Sequence, residues 1–351
     1  MYVMTGMSRG RVRSVESALK YFLMGAFSSG FLVYGMALLY GSTGSLDLAE
    51  IGRYAAAGDP SKLFVAGIGL ILVGLFFKIA VVPFHQWVPD VYTGAPTNVT
   101  GYMAAATKTA AFAVLLRVLI GTFGTYADGW IPLITVLSIV TMTVANLVAL
   151  AQNNIKRMLA FSSIAHAGYL LIALVCLDGD GRSLGAGPIL FYLTIYGLMT
   201  VGAFAVAAAV GRGDARGEDG YDLYSWAGLG TRRPMLGVAM AIFLLSLAGI
   251  PPTGGFFGKY AIFQAAIRSG HVMLAVVGML NAVVAAYYYL RVLVTMYMRE
   301  AEDDVPMPMP VAPSVAIVHV IAVVGVLFLG VNPGGLLDLA NDLGRSLTFA
   351  Y

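Results

Sequence analysis

Lys62-Leu-Phe-Val-Ala-Gly-Ile-Gly-Leu-Ile-Leu-Val-Gly-Leu-Phe-Phe-Lys-Ile-Ala-Val-Val-Pro83 decides the fold. Its apolar residues follow neither the alternation of a half-buried strand nor the single stripe of a surface helix. A run of about 20 mostly apolar residues is what a helix needs to cross the hydrocarbon core of a bilayer. Working outward, the same pattern recurs in nine segments: 16–40, 62–93, 98–123, 131–151, 158–177, 187–210, 233–268, 271–298 and 313–331. Apolar character runs round most of them, as expected of helices that face lipid or each other. Frequent glycine and alanine permit close helix packing. The expected fold is all-α: a polytopic membrane bundle of about nine spans.

Composition supports this and excludes much else. The chain has 351 residues, 59% hydrophobic and only 11% charged. A soluble domain carries about 25% charged residues. So little charge rules out a disordered chain, a coiled coil or a nucleic-acid binder, and argues against a soluble enzyme. The single cysteine, Cys176, excludes a disulfide scaffold, an iron–sulfur cluster and a cysteine-ligated zinc. No secretory signal peptide is legible: the first residues, Met1 to Met7, read as the last turns of a helix. The longest polar stretch, Gly211 to Arg233, is loop-sized, so no soluble domain fits between the spans.

Lys and Arg set the expected orientation. Arg9, Arg11, Arg13, Lys20, Lys156, Arg157, Arg212, Arg216, Arg232, Arg233 and Arg299 fall on one side. Arg53, Lys62, Arg182, Arg268 and Arg345 fall on the other. The richer side is expected to be cytoplasmic, with the first residue inside and the last outside.

Two segments are too long for one straight helix. Segment 62–93 contains Pro83 and Pro89, and 233–268 contains Gly249-Ile-Pro-Pro-Thr-Gly-Gly255. Proline removes a donor and clashes with the preceding turn. A break at membrane depth is tolerated only where protein or water satisfies the freed backbone. Two broken helices point to a transporter built from repeats. The plainer alternative is a pair of kinks that only aid packing.

Three of the 6 lysines, Lys78, Lys108 and Lys259, lie where charge is expensive. Each costs roughly 2.5–3.5 kcal/mol at mid-membrane on insertion scales. The alternative is snorkelling from tilted helices. Desolvated lysine can exchange its proton near neutral pH, whereas arginine keeps its own. A row of buried lysines therefore reads as a proton relay. No acidic residue lies in the middle of any span, so the counter-charge is expected on another chain or another part of this one. His85 and His166 are candidate relay members or packing residues, and His271 and His319 read as interfacial or structural. No metal-binding spacing is present. Gly211 to Gly217 reads as a charged loop, Asn98-Val-Thr100 as a chance sequon, and Glu300 to Asp304 as a solvated loop.

At these residues a family resemblance emerges. Phe77-Lys-Ile-Ala-Val-Val-Pro-Phe-His-Gln-Trp-Val-Pro-Asp-Val-Tyr-Thr-Gly-Ala-Pro96 resembles the signature of the antiporter-like subunits of respiratory complex I, NADH–quinone oxidoreductase. Glu16-Ser-Ala-Leu-Lys-Tyr-Phe22, Gly25-Ala-Phe-Ser-Ser29, Ser162-Ser-Ile-Ala-His-Ala-Gly-Tyr169 and Leu247-Ala-Gly-Ile-Pro-Pro-Thr-Gly-Gly-Phe-Phe-Gly-Lys-Tyr260 resemble its subunit N type. The similarity runs essentially end to end.

The resemblance implies a fourteen-helix subunit with two inverted five-helix repeats, each with one discontinuous helix. It implies that 16–123 is the remainder of the first repeat, 131–298 the second, and 313–331 a terminal span. The chain then begins about five helices late. The glutamate that partners Lys78 in the family would lie in the preceding part. Lys78 and Lys108 match the family's midplane lysines, Lys259 the charge on the second broken helix, His85 the signature histidine, and Glu16 with Lys20 a pair on the sixth family helix. The implied role is a coupled proton channel in the bacterial inner membrane, with Lys78 loading, Lys108 relaying and Lys259 releasing outward. No cofactor is implied on this chain: FMN, iron–sulfur clusters and quinone belong to other subunits. The implied partners are membrane-arm neighbours of the K and M types and the lipid bilayer, with no nucleic acid. A subunit of a multisubunit sodium/proton antiporter and a non-pumping scaffold are the rivals.

Overall fold

The computed structural model describes residues 1–58, 60–179, 181–211, 220–301 and 311–346. Arg212, Arg216 and the acidic run from Glu302 to Asp304 lie outside them. The helices, in chain order, are α1 (Tyr2–Thr5), α2 (Val12–Thr43), α3 (Leu48–Ala56), α4 (Lys62–Ile79) and α5 (Trp87–Gly94). They continue with α6 (Thr97–Thr122), α7 (Ala127–Leu150), α8 (Ile155–Leu174) and α9 (Ala186–Gly211). Last come, after a single helical turn at Leu229–Arg232, α10 (Pro234–Ala248), α11 (Gly254–Arg268), α12 (Val272–Met298), α13 (Pro313–Val331) and α14 (Gly334–Arg345). Among the described residues, 8 helices are long and apolar enough to cross a membrane. The ninth span read from the sequence, 233–268, consists of the two half-helices α10 and α11.

Both expected breaks are present, and each begins with a left-handed residue. The first half-helix α4 stops at Ala80 (φ 63°) and α10 stops at Gly249 (φ 86°). Glycine takes that conformation freely. Ala80, the one non-glycine residue with positive φ among those described, carries strain of the kind that persists only where its surroundings hold it. The halves remain tied across the first break: Trp87 Nε1 donates to the Phe77 carbonyl at 2.9 Å. Val82 N donates to Thr141 Oγ1 on α7 at 3.1 Å. At the second break α11 starts hard against the end of α10. A Cβ on Gly255 would lie 1.9 Å from the Ser246 carbonyl oxygen.

Helix α8 is the centre. All its residues except Arg157 are buried. Helices α5, α7, α9, α11 and α12 surround it. By contrast α2 and α13 are mostly exposed. Small residues set the close approaches. On α2, a Cβ at Gly35 would come within 2.8 Å of the Gly67 carbonyl oxygen on α4.

The spans follow the sequence pattern with extended ends, because backbone hydrogen bonding carries helices past the last apolar residue into the interface. Segment 16–40 becomes Val12–Thr43, and 131–151 begins at Ala127. Two short helices go beyond the sequence reading. The first is α3, whose N-cap Asp47 accepts from Ala49 and Glu50 N–H groups. The second is α14, which packs on α9.

Candidate functional site

The site is built on one face of α8. Ser162, Ser163, His166 and Tyr169 recur at three- and four-residue spacing, which stacks them along one side of a helix. All four are buried.

Lys108 reaches this face from α6. It follows a π-helical stretch, Met103–Thr107, which is a local widening often found at functional sites. The side chain is 2% exposed. Its Nζ donates to the Ser163 carbonyl and to Ser163 Oγ, the latter at 2.6 Å. It lies 5.6 Å from the centre of the Tyr196 ring. The Tyr196 hydroxyl donates to the same Ser163 Oγ at 2.8 Å.

His166 sits one turn further along α8. Nδ1 meets the Tyr192 hydroxyl at 2.5 Å and Nε2 the Tyr289 hydroxyl at 3.2 Å. Tyr289 is linked in turn to Ser162 Oγ at 2.5 Å. The imidazole ring is 5.2 Å from the Tyr196 ring and 5.7 Å from the Tyr169 ring.

Lys259 comes from α11 and is 4% exposed. Its Nζ donates to the carbonyls of Leu247 and Ala248, both at 2.9 Å. These are last-turn carbonyls of α10, left without intrahelical donors by the break. The ammonium also lies 4.9 Å from the centre of the Tyr169 ring. Beyond Tyr169 a second polar group links α7 to α12. Asn146 Nδ2 donates to Tyr169 OH at 3.4 Å and to Asn281 Oδ1 at 3.1 Å, and Tyr288 OH donates to Asn146 Oδ1 at 3.1 Å.

Lys108, His166 and Lys259 thus share one buried cluster, with His166 between the two lysines. Their acceptors are neutral: carbonyls, a hydroxyl and ring faces. Such partners hold an ammonium without the strong bias toward the charged form that a carboxylate gives. The cluster is not an unbroken hydrogen-bonded wire. From Tyr196 to His166 and from His166 to Tyr169 the contacts are ring to ring, so a proton needs a side-chain movement or water to cross.

The other sequence candidates lie apart from this cluster. Lys78 stands in the last turn of α4 and is half-buried rather than enclosed. Its Nζ is 3.5 Å from Tyr2 OH and 5.7 Å from the Phe77 ring centre. Among the described residues it has no carboxylate partner. His85 is half-buried within the first break. Glu16 and Lys20 form an exposed pair at 2.7 Å that extends to Asp90.

One expectation needs correction. Lys156, assigned to a basic loop, is 2% exposed. The segment carrying Tyr221 covers it, with Nζ 4.8 Å from the Tyr221 ring centre. Residues absent from the sequence reading are the tyrosines Tyr192, Tyr196 and Tyr289. The four-residue spacing of Tyr192 and Tyr196 inside an apolar span was the available signal.

The sequence matches the family described as NADH:quinone oxidoreductase/Mrp antiporter, transmembrane, over residues 1–285. The chain belongs to this family. Within it, the chain is 45% identical over 344 residues to NADH-quinone oxidoreductase subunit N of Trichlorobacter lovleyi, covering 97% of this chain and 69% of the relative. To subunit N of Mycobacterium tuberculosis it is 47% identical over 350 residues, covering 99% and 65%. The chain therefore spans about two thirds of the length of these relatives. Among solved structures, a chain of respiratory complex I from Thermus thermophilus aligns with TM-score 0.80 at 40% identity, over 96% of this chain and 71% of that one. A chain of the Mrp complex from Dietzia aligns with TM-score 0.89 over 99% and 71%; at 22% identity it shares the fold. The family resemblance read from the sequence holds, and the subunit N type rather than the Mrp type carries the higher identity.

Proposed function

We propose that this chain is a proton-translocating membrane subunit of a bacterial NADH–quinone oxidoreductase, in which Lys108, His166 and Lys259 form the buried relay. One observation carries the reading: two almost fully enclosed lysines flank a buried histidine on the central helix, each held only by neutral acceptors. Lysine in that setting can exchange a proton. Arginine would serve only as a fixed charge. Moving a proton against 100 mV costs roughly 2.3 kcal/mol, which modest changes in the solvation of such groups can supply.

Lys108 would take the proton on the Ser163 and Tyr196 side. His166 would receive it, with the Tyr192 and Tyr289 hydroxyls holding its ring nitrogens. Lys259 would hold it against the freed carbonyls of α10 before release. Lys78, near the first break, would load the relay, with His85 and the Glu16–Lys20 pair as further members of the path.

The two inverted repeats, within 16–123 and 131–298, are part of this proposal. Their support is that each half has one broken helix ending at a left-handed residue, with a lysine before the first break and after the second. Redox chemistry, with FMN, iron–sulfur clusters and quinone, would reside on other subunits. Cys176 alone cannot ligate a cluster. Partners would be membrane-arm subunits, with K- and M-type neighbours, in the inner membrane and with the basic side cytoplasmic.

The test is Lys259→Met in the assembled complex, followed by proton uptake in inverted vesicles during quinone reduction. The expected result is a normal amount of complex with strongly reduced pumping. Unchanged pumping removes Lys259 from the relay.

A further inference from the structure

At the end of α8 remote from the relay, two consecutive basic residues both reach the short half-helix α5. Lys156 Nζ donates to the carbonyl of Ala95, the C-cap of α5, at 2.7 Å. There a cation also meets the negative end of the helix dipole. Arg157 Nη1 donates to Asp90 Oδ1 at 2.9 Å. The other oxygen of Asp90 accepts from Lys20 at 3.2 Å, and Lys20 also pairs with Glu16 at 2.7 Å. The Asp90 carbonyl accepts from Ser17 Oγ at 3.1 Å. Gly94, the last residue of α5, lies so close to α2 that a Cβ would come within 1.9 Å of Ser17 Oγ. Helix α5 is gripped at its acidic side chain, at its terminal carbonyl and along its α2 face.

These contacts hold more than a surface. Helix α5 is the second half of the broken helix whose first half, α4, carries Lys78 in its last turn. Helix α8 carries Ser163 and His166. The Asp90 and Arg157 side chains are 41% and 38% exposed, a setting in which an ion pair adds little to stability. Its geometry is nevertheless specific, because Arg157 and the adjacent Lys156 fix both the register and the distance of α5 against α8.

We propose that Lys156 and Arg157 clamp the broken helix of the first half to the central helix, so that movement at the Lys78 break displaces Ser163 and His166 relative to Lys108. Lys156, Arg157 and Asp90 are positioning residues, and the inference rests on the relay reading above. Rigid elements joined by such contacts are the physical means by which separate sites become coupled.

The test is a charge swap in the membrane-bound complex, with assembly measured on native gels and proton pumping measured with quinone reduction. Asp90→Arg and Arg157→Asp should each assemble and lower coupled pumping about fivefold, and the double swap should recover about half of the loss, since contacting charges couple non-additively while Lys20, which also pairs with Asp90, keeps the recovery partial. Lys156→Met should lower pumping without being rescued by the swap. If either single swap fails to assemble, Asp90→Asn and Arg157→Gln carry the comparison, and the double should then be no worse than the worse single. Wild-type pumping in the singles, or no recovery in an assembled double, overturns the clamp. Lys108→Met is run in parallel to separate the two readings. If it pumps normally, the relay itself fails. If it is inactive while the Asp90 and Arg157 variants pump normally, only the clamp fails.

Discussion

Replacing Lys108 by methionine separates stability from transport. The substitution keeps an unbranched chain of similar volume and removes the ammonium. The two lost hydrogen bonds, to the Ser163 carbonyl and hydroxyl, are worth about 1.5–3 kcal/mol each as bonds from a charged donor, or roughly 3–6 kcal/mol together. Against this, the relieved cost of a charge at membrane depth is roughly 2.5–3.5 kcal/mol. Ser163 Oγ keeps its hydrogen bond from Tyr196 at 2.8 Å, so the deletion leaves that hydroxyl with a partner. The difference runs from about zero to about 3 kcal/mol of lost stability, so the variant should still fold and assemble, with a thermal midpoint equal to wild type or lower by up to about ten degrees. Pumping should nonetheless fall at least tenfold, about 1.4 kcal/mol or more in transfer barrier, because the substitution removes the amine that α6 brings to Ser163. Lys108→Arg should be nearly as defective, since the guanidinium holds its proton. The assay is proton uptake into inverted vesicles, normalised to complex content, beside a melting curve of the purified complex. Normal pumping by an assembled Lys108→Met complex excludes Lys108 from the relay. A parallel collapse of assembly and pumping would make Lys108 structural.

Two further outcomes follow from the breaks. Lys78→Met and Lys78→Arg should both strongly reduce pumping and quinone reduction; full activity of the arginine variant, measured in the same vesicles, makes Lys78 a fixed counter-charge. Ala80→Gly should raise the thermal midpoint of the assembled complex, because it removes left-handed strain of about 1 kcal/mol from a non-glycine residue. An unchanged or lowered midpoint shows that Ala80 is not strained in the way its φ of 63° indicates.

Much of this was legible in the sequence because membranes impose coarse rules. A span must be long and apolar, so the runs ending near Thr43, Ile79 and Met298 announce themselves. Prolines at 83, 251 and 252 announce the breaks. A lysine inside an apolar run is anomalous, which is why Lys108 and Lys259 stood out. What hydropathy lacks is the identity of the neighbours. Lys78 has the same kind of local sequence as Lys259, yet it is half-buried while Lys259 is enclosed by freed carbonyls and Tyr169. Lys156 follows Asn153 and Asn154 and precedes Arg157, so it reads as loop. Tertiary contacts bury it, among them those with the Ala95 carbonyl and the Tyr221 ring. The tyrosines around His166 count as apolar in any composition, and their hydroxyls become visible only when α8, α9 and α12 meet. Helix α14 is short and ends in charge, and its packing against α9 is a matter of chain reversal that no period in the sequence encodes.

The central claim is that a proton passes between Lys108 and Lys259 by way of His166. The most direct measurement is the number of protons pumped per quinone reduced by His166→Leu, in proteoliposomes containing the assembled complex. That substitution leaves both lysines and the acceptors Ser163, Leu247 and Ala248 in place and removes only the group between them. The expected result is a complex of normal content whose proton-to-quinone ratio falls below that of wild type. An unchanged ratio at wild-type turnover contradicts it.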